Sequence, residues 1–311
     1  MDIKKTLIAY NPKSGRFSKE KLSYILSYLK NKGIYSEGLD LTEKYVDKEF
    51  ASRFDAVLVA GGDGSLNSVV NRLVFTDIPV AQLPIGTVNL FCLENKTPFS
   101  LPAALNEIIY KYRPLRIPLG KANDQYFLEM AGIGFDAFLV KIMEERLGIK
   151  SQKRHFFDNF FKYLSFIINI IKMAGKYGFG DISLENLSKG NFYHANQIIV
   201  SNIKRYGGPF VIFPDNSILD INFRIILMEN LKGRFDVILS ILKSFIFYEK
   251  YRSNEDLYQE AESVYISSAV PSMNNSIFFQ LDGEYAGRLP VKIKKVKDAV
   301  TMLINPGQIS A

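Results

Sequence analysis

Residues 61–67 read Gly61-Gly62-Asp63-Gly64-Ser65-Leu66-Asn67, and this stretch decides the fold of the 311-residue chain. An apolar segment at 54–60 precedes it, and apolar residues at helical spacing follow from Leu66 to Leu73. A strand therefore meets a helix at three glycines, which let main-chain N–H groups and the positive end of the helix approach a phosphate closely. The alternative is an ordinary glycine-rich turn.

An acid, Asp63, stands among these glycines. A carboxylate would repel phosphate groups unless a divalent cation stood between them, and nucleotides commonly bind with Mg²⁺. The sequence therefore predicts a nucleotide bound with Mg²⁺ at Asp63.

Two further polar loops follow short strand-like runs. The run at 6–10 ends in Asn11-Pro12-Lys13-Ser14-Gly15, and the run at 79–83 ends in Pro84-Ile85-Gly86-Thr87-Val88-Asn89. Parallel strands of an open α/β sheet bring their carboxyl ends to one edge, where such sheets bind ligands. We therefore expect the three loops to converge on one site.

The chain is longer than those that usually fold around a single hydrophobic core, so we expect two domains. Alternating strands and helices over residues 1–120 predict a doubly wound, Rossmann-like α/β domain. Residues 121–290 predict a mostly antiparallel β-sandwich domain with helical insertions at about 139–147, 156–175 and 232–250. The strand-like runs that indicate the change in pattern are 116–119, 126–130, 196–202, 218–228, 263–268 and 277–281.

The single cysteine, Cys92, excludes an internal disulfide framework, and we expect a reducing, cytosolic setting. The net charge of +7 is concentrated in residues 141–180, which hold eight Lys or Arg against three Asp or Glu. The expected helix at 156–175 could pack into the core, or lie on an anionic bilayer with its basic flank (Lys150, Lys153, Arg154) on the headgroups. The basic residues do not interleave with the glycine loops and no RNA-binding signature occurs, so we expect no nucleic-acid partner.

The sequence resembles the lipid kinase family of diacylglycerol kinases and sphingosine kinases, in particular the bacterial diacylglycerol kinase type. The blocks that carry the resemblance occur in the family's order over nearly the whole chain: Asn11-Pro12-x-Ser14-Gly15; Gly61-Gly62-Asp63-Gly64-Ser65-Leu66-Asn67 with Val69-Val70-Asn71; Gly86-Thr87-Val88-Asn89; Gly132-Ile133-Gly134-Phe135-Asp136; and Asp282-Gly283-Glu284.

Two blocks depart from the family pattern. Many members carry Asp directly after the Asn that corresponds to Asn89, where this chain has Leu90, so an acidic role at that point is absent. The family's metal loop usually reads Asn-Asp-Gly, whereas this chain reads Leu219-Asp220-Ile221-Asn222, which keeps the Asp and loses the Gly.

The resemblance implies an active site in the cleft between the two domains, with a C-terminal segment, residues 291–311, that returns to the first domain. Glu284 would be the general base and Asp63 a catalytic residue that engages Mg²⁺. Asp220, with main-chain oxygens of Ser217 and Asn222, would bind an accessory Mg²⁺. The residues expected to bind ATP are Asn11, Pro12, Lys13, Ser14, Gly15, Thr42, Gly61, Gly62, Asp63, Gly64, Ser65, Leu66, Asn67 and Thr87.

The expected function is transfer of the γ-phosphoryl group of ATP to a hydroxyl of diacylglycerol or a related lipid. We expect the enzyme to bind peripherally to an anionic membrane surface on the cytoplasmic side, and a homodimer stays open as its assembly state. Two alternatives also stay open. One is a soluble kinase of related fold that acts on NAD or a sugar phosphate, and the other is a catalytically silent protein that binds nucleotide or lipid.

Overall fold

The structure, a computed structural model, describes residues 2–147, 178–208, 210–232, 236, 239, 252–254, 257–270 and 276–308. The chain forms two compact units. The first comprises residues up to Pro118 together with those from Lys297 onward, and the second comprises most of the residues between them.

The first unit is a parallel sheet with helices between its strands. The strands lie in the order β2-β1-β3-β4, and every neighbouring pair is parallel. The elements are β1 (Lys5–Tyr10), α1 (Lys19–Asn31), β2 (Tyr35–Asp40), α2 (Lys48–Ala51), β3 (Ala56–Gly61), α3 (Asp63–Leu73), β4 (Val80–Pro84), α4 (Leu90–Glu94) and α5 (Leu101–Tyr110).

Apolar patterning explains the core of this unit. All six residues of β3 are buried, as expected for an inner strand of a parallel sheet that is covered on both faces. Helix α3 buries Leu66, Val69, Val70 and Leu73, which recur at helical spacing on one side. Because β3 and α3 join at Gly61 and Gly62, the packing of both elements holds the glycine-rich stretch in place.

The second unit is antiparallel. One sheet has the strand order β14-β13-β10-β7-β16-β17. The elements are β5 (Arg113–Ala122), β6 (Gln125–Phe127), β7 (Met130–Ile133), α6 (Phe135–Leu147), β8 (Ile182–Asn186), β9 (Asn191–Ala195), β10 (Gln197–Ser201), β11 (Arg205–Tyr206), β12 (Phe210–Val211), β13 (Phe223–Met228), β14 (Tyr258–Ala261), β15 (Ser263–Ser268), β16 (Phe278–Leu281), β17 (Glu284–Arg288) and β18 (Val291–Ile304), with a 3₁₀ turn at Pro306–Gln308.

A second antiparallel ladder in this unit joins β9, β8, β15 and the first residues of β18. Side chains from both ladders meet in one buried cluster, for example Ile198 and Val200 from the first and Leu184, Val264 and Ile293 from the second. This is the packing of a β-sandwich. The later residues of β18 lie in the first unit, where Met302 pairs in parallel with Val80 of β4.

The expected fold class, an α/β domain with a parallel sheet followed by an antiparallel β domain, is confirmed. Two strand expectations need correction. The run at 126–130 is divided between β6 and β7, and the run at 218–228 becomes a strand only at Phe223. Asp282 causes the first break, since its carboxylate accepts the amides of Leu128 and Glu129.

Helix α6 corresponds to the insertion expected at 139–147 and begins at Phe135. The insertion expected at 156–175, its basic flank and most of that expected at 232–250 lie outside the described residues. Within the described ranges, no helix combines the length and the apolar character that crossing a membrane requires.

Candidate active site

Three loops of the first unit meet at the carboxyl ends of its strands. Asn11, directly after β1, donates from its main-chain amide to the carbonyl of Ala60 at 3.2 Å and from Nδ2 to Ser65 Oγ at 3.0 Å. The amide of Arg16 donates to the carbonyl of Ile85 after β4 at 3.0 Å. The loops after β1, β3 and β4 are therefore connected by hydrogen bonds.

Glycines allow two of these loops to touch. A Cβ atom on Gly86 would overlap Gly62 Cα, and a Cβ on Gly61 would lie 2.6 Å from Ser65 Cβ. Asn89 holds Gly86 in place, because its buried side chain accepts from the Gly86 amide at 2.7 Å and donates to the Gly86 carbonyl at 2.9 Å. Gly86 is thus required by the close approach of the Gly62 backbone, and Gly61 by the Ser65 side chain.

Asp63 is the first residue of α3, at the positive end of an eleven-residue helix. The first amides of a helix have no acceptor within the helix, so those of Asp63, Gly64 and Ser65 suit an anionic ligand. Gln82 of β4, a buried residue that sequence reasoning missed, donates from Nε2 to Asp63 Oδ1 at 3.2 Å. This contact orients a half-buried carboxylate at the point where a helix attracts negative charge.

The other expected nucleotide contacts surround this point. Thr42 is exposed after β2, where its amide and hydroxyl both donate to Asp40 Oδ1, at 2.8 and 2.7 Å. Lys13 is exposed and its amide donates to Asn11 Oδ1 at 2.9 Å, which closes a tight turn. Thr87 is half-buried directly after Gly86. The expected residues therefore lie at the ends of four neighbouring strands.

In the second unit, Asp282 and Gly283 form the two-residue turn between β16 and β17. Their φ angles of 50° and 79° are both in the left-handed region, as a type I′ hairpin turn requires. The Asp282 carboxylate accepts the amides of Leu128, Glu129 and Met130 at 2.7, 2.8 and 2.9 Å. Asp282 is thus a structural anchor, and it places the exposed Glu284 at the first position of β17.

Gln280 supports this turn from β16. Its Oε1 accepts the Gly283 amide at 2.8 Å, and its Nε2 donates to Asp136 Oδ2 at 3.4 Å. Burial raises the pKa of Asp136, and the hydrogen bond from Gln197 Nε2 at 2.7 Å partly opposes that effect. A Cβ on Gly132 would overlap the Asp136 carboxylate. The Gly132–Asp136 block is therefore part of the support of the Glu284 turn, a role that its sequence alone did not reveal.

The expected accessory metal residues lie in the loop before β13. Ser217 donates its amide to Asp220 Oδ2 at 3.2 Å and accepts the Asp220 amide at 3.0 Å, while Asn222 lies two residues beyond Asp220. Arg224 Nη2 lies 3.2 Å from Asp220 Oδ2, and Lys295 Nζ donates to the Asp220 carbonyl at 2.9 Å. Of the oxygens expected to bind Mg²⁺, Asp220 Oδ2 is thus already paired with Arg224 and accepts the Ser217 amide, and the Ser217 carbonyl accepts the Asp220 amide. With its carboxylate neutralised by Arg224, this donor set does not fit the ion.

Burial lowers the pKa of Lys295 to about 7, an effect that the nearby Arg224 reinforces and the charge of Asp220 opposes. Over the part of the chain that the structure describes, no group of three or more His, Cys, Asp or Glu side chains is arranged to hold a metal ion. The sequence did not predict a role for Arg224 or Lys295, because neither residue belongs to a motif.

Comparisons with known proteins agree with the motifs. The model of the diacylglycerol kinase catalytic domain matches residues 5–122. A diacylglycerol kinase of Staphylococcus epidermidis is 26% identical and aligns with 96% of this chain and 91% of its own length. A diacylglycerol kinase of Bacillus subtilis is 27% identical over 93% of this chain and 92% of its own length.

Solved structures share the fold. The crystal structure of a diacylglycerol kinase from Bacillus anthracis superposes with a TM-score of 0.70 at 22% identity, and the match covers 99% of both chains. A second structure from the same organism has a TM-score of 0.71 at 22% identity, again over 99% of each chain.

Proposed function

We propose that this chain, which belongs to the diacylglycerol kinase family and is a kinase with an alcohol group as acceptor, transfers the γ-phosphoryl group of ATP to a hydroxyl of diacylglycerol or a related lipid. The observation that carries the proposal is the contact between the Gly62 and Gly86 backbones beside the start of α3, where Asp63 lies. Such a site suits a polyphosphate, because it offers main-chain donors and the positive end of a helix.

Binding of ATP is assigned to the first unit. The first-turn amides of α3 and those of the loop after β1 would hold the phosphates, with Thr87 contributing its hydroxyl. Thr42 would contact the nucleotide from the end of β2, and the exposed Lys13 is long enough to reach a phosphate as a solvated cation. Phosphoryl transfer depends mainly on positioning and charge neutralisation, which these groups supply.

Asp63 is the residue that we assign to Mg²⁺, directly or through a water molecule. Carboxylate oxygens suit this ion, which neutralises negative charge on the nucleotide when it is bound. Gln82 keeps the Asp63 side chain in position through its hydrogen bond to Oδ1, so that the carboxylate does not turn away from the loop.

Glu284 is the residue that we assign as general base. It would accept the proton of the lipid hydroxyl as that oxygen attacks the γ-phosphorus and ADP leaves. The exposed position of Glu284 leaves room for an acceptor, and the turn anchored by Asp282 limits the movement of its backbone.

A lipid acceptor places the reaction at a membrane surface. We propose peripheral binding at the cytoplasmic face, with anionic headgroups attracting the basic excess of the chain, which has a net charge of +7. Buried Cys92 does not conflict with the reducing setting that this location implies.

The test is phosphorylation by the purified full chain with labelled ATP and magnesium. Diacylglycerol, sphingosine and ceramide in mixed micelles serve as lipid acceptors, with NAD and a sugar phosphate as soluble ones. We expect label in a lipid product, and we expect Asp63→Asn to abolish it while Asp77→Asn, an exposed acid of the same unit, does not. Label on NAD or the sugar phosphate alone would assign a soluble kinase, and ATP binding without transfer would assign a silent binding protein.

A further inference from the structure

Arg224 lies among three carboxylates in the loop region around β13. Its guanidinium is 3.2 Å from Asp220 Oδ2, 3.3 Å from Glu260 Oε2 and 3.9 Å from Asp215 Oδ2. Only 13% of the Arg224 side chain is exposed. A nearly buried cation therefore lies between three acidic side chains, each of which contacts a different nitrogen of its guanidinium, and it supplies the positive charge that their burial requires.

A buried amine approaches the same loop from β18. Lys295 is 5% exposed, and its Nζ donates to the main-chain carbonyl of Asp220 at 2.9 Å while lying 5.0 Å from the centre of the Phe223 ring. An amine donates hydrogen bonds in either protonation state, so this contact persists whether or not Lys295 carries a charge. Side chain and main chain of Asp220 are thus both engaged.

Counting charges shows how well the protein groups match. Three acids (Asp215, Asp220 and Glu260) face two arginines, Arg224 and Arg252, and the Arg252 Nε lies 3.6 Å from Asp215 Oδ2. The Lys295 amine adds a hydrogen bond to the Asp220 carbonyl. A divalent ion at the Asp220 carboxylate would have to compete with Arg224 for Oδ2, and it would add two positive charges beside that guanidinium. Mg²⁺ requires carboxylate oxygens whose charge is not already neutralised, and Asp220 Oδ2 is paired with Arg224 and also accepts the Ser217 amide.

We propose that Arg224 and Lys295 take the place of a divalent cation in the Asp220 loop, so that residues 215–222 fold against β13 and β18 without Mg²⁺. The role is structural and does not depend on which acceptor the enzyme phosphorylates.

The test counts Mn²⁺ bound to the full chain by electron paramagnetic resonance, without nucleotide and in an Asp63→Asn background that removes the acid of the nucleotide site. We expect Asp220→Asn to leave the number of bound Mn²⁺ ions unchanged, as should Asp124→Asn, an exposed acid of the second unit paired with Lys121. A bound Mn²⁺ ion that disappears with Asp220→Asn and persists with Asp124→Asn would overturn the proposal.

Thermal unfolding supplies an independent readout that does not involve activity. In the same Asp63→Asn background, the melting temperature should be the same in EDTA and in MgCl₂ without nucleotide. Arg224→Met, added to this background, removes the central cation and leaves acids that repel one another, so the melting temperature should fall and be partly restored by MgCl₂. A melting temperature of the Asp63→Asn protein that rises with MgCl₂, or an Arg224→Met protein that melts identically in both buffers, would contradict the replacement.

Discussion

Replacing Asp282 by Asn should destabilise the second unit, because one carboxylate accepts three main-chain amides from the segment between β6 and β7. An Asn carbonyl can still accept from Glu129 and Met130, but its NH₂ group would face the Leu128 amide, so one charged hydrogen bond is lost and two are weakened. Hydrogen bonds to charged groups contribute about 1.5–3 kcal/mol and neutral ones about 0.5–1.5 kcal/mol, so one lost charged bond and two that become neutral give a total loss of roughly 3.5–6 kcal/mol.

The assays are urea unfolding, for the free energy of unfolding, and hydrogen exchange at the amides of residues 128–130. The second assay is needed because a chain of two units need not unfold in one step, so a local probe must report on the second unit. These three amides should exchange faster in Asp282→Asn. The matched control is Asp124→Asn, whose exposed pair with Lys121 at 3.6 Å should contribute less than about 1 kcal/mol. A loss of less than about 1 kcal/mol in Asp282→Asn, with unchanged exchange at 128–130, would refute the anchoring role.

Three further predictions concern other parts of the chain. Asp63→Asn should keep the fold and lose at least roughly 3 kcal/mol of transition-state stabilisation, measured as kcat/KM for ATP, and near-normal turnover would exclude the metal role. Gly86→Ala should weaken ATP binding measured by calorimetry, because the added Cβ would overlap Gly62 Cα, and unchanged affinity would show that the two loops need not touch. Burial lowers the pKa of Lys295 from its ordinary 10.5 to about 7. Between these two pH values Lys295 is protonated in the unfolded chain and largely neutral in the folded one, so the free energy of unfolding rises with pH. Urea unfolding should therefore show that, from pH 6.5 to 9.5, the free energy of unfolding of the unsubstituted protein rises by roughly 2–4 kcal/mol relative to that of Lys295→Met. Parallel pH profiles for the two proteins would contradict a lowered pKa of Lys295.

Local sequence patterns predict the parts of this fold that local physics determines. Apolar runs at 6–10 and 79–83 became β1 and β4, and the glycines at 61–64 mark the junction of β3 and α3, because strand propensity and backbone freedom act over a few residues. The convergence of the loops followed from the topology of parallel strands.

Contacts between residues that are far apart in the sequence could not be predicted. Gln82 contacts Asp63 from a different strand, and Lys295 reaches Asp220 across 75 residues. The break between β6 and β7 depends on Asp282, more than 150 residues away. No short window of sequence contains both partners of such a contact. Only the folded chain therefore shows which residues hold Asp63 and the Glu284 turn in place, and which residues contact Asp220.

The most direct measurement compares ATP binding with lipid phosphorylation in Glu284→Gln. This substitution keeps the size and the hydrogen-bonding capacity of the side chain but removes its ability to accept a proton. Calorimetry should show nearly unchanged affinity for ATP with magnesium, because the loops that we propose to bind the nucleotide belong to the first unit. Phosphorylation of diacylglycerol should fall by roughly 10²- to 10⁴-fold, the usual contribution of a positioned base. A fall of less than about tenfold, with ATP binding intact, would contradict the assignment of Glu284 as the base of a lipid kinase.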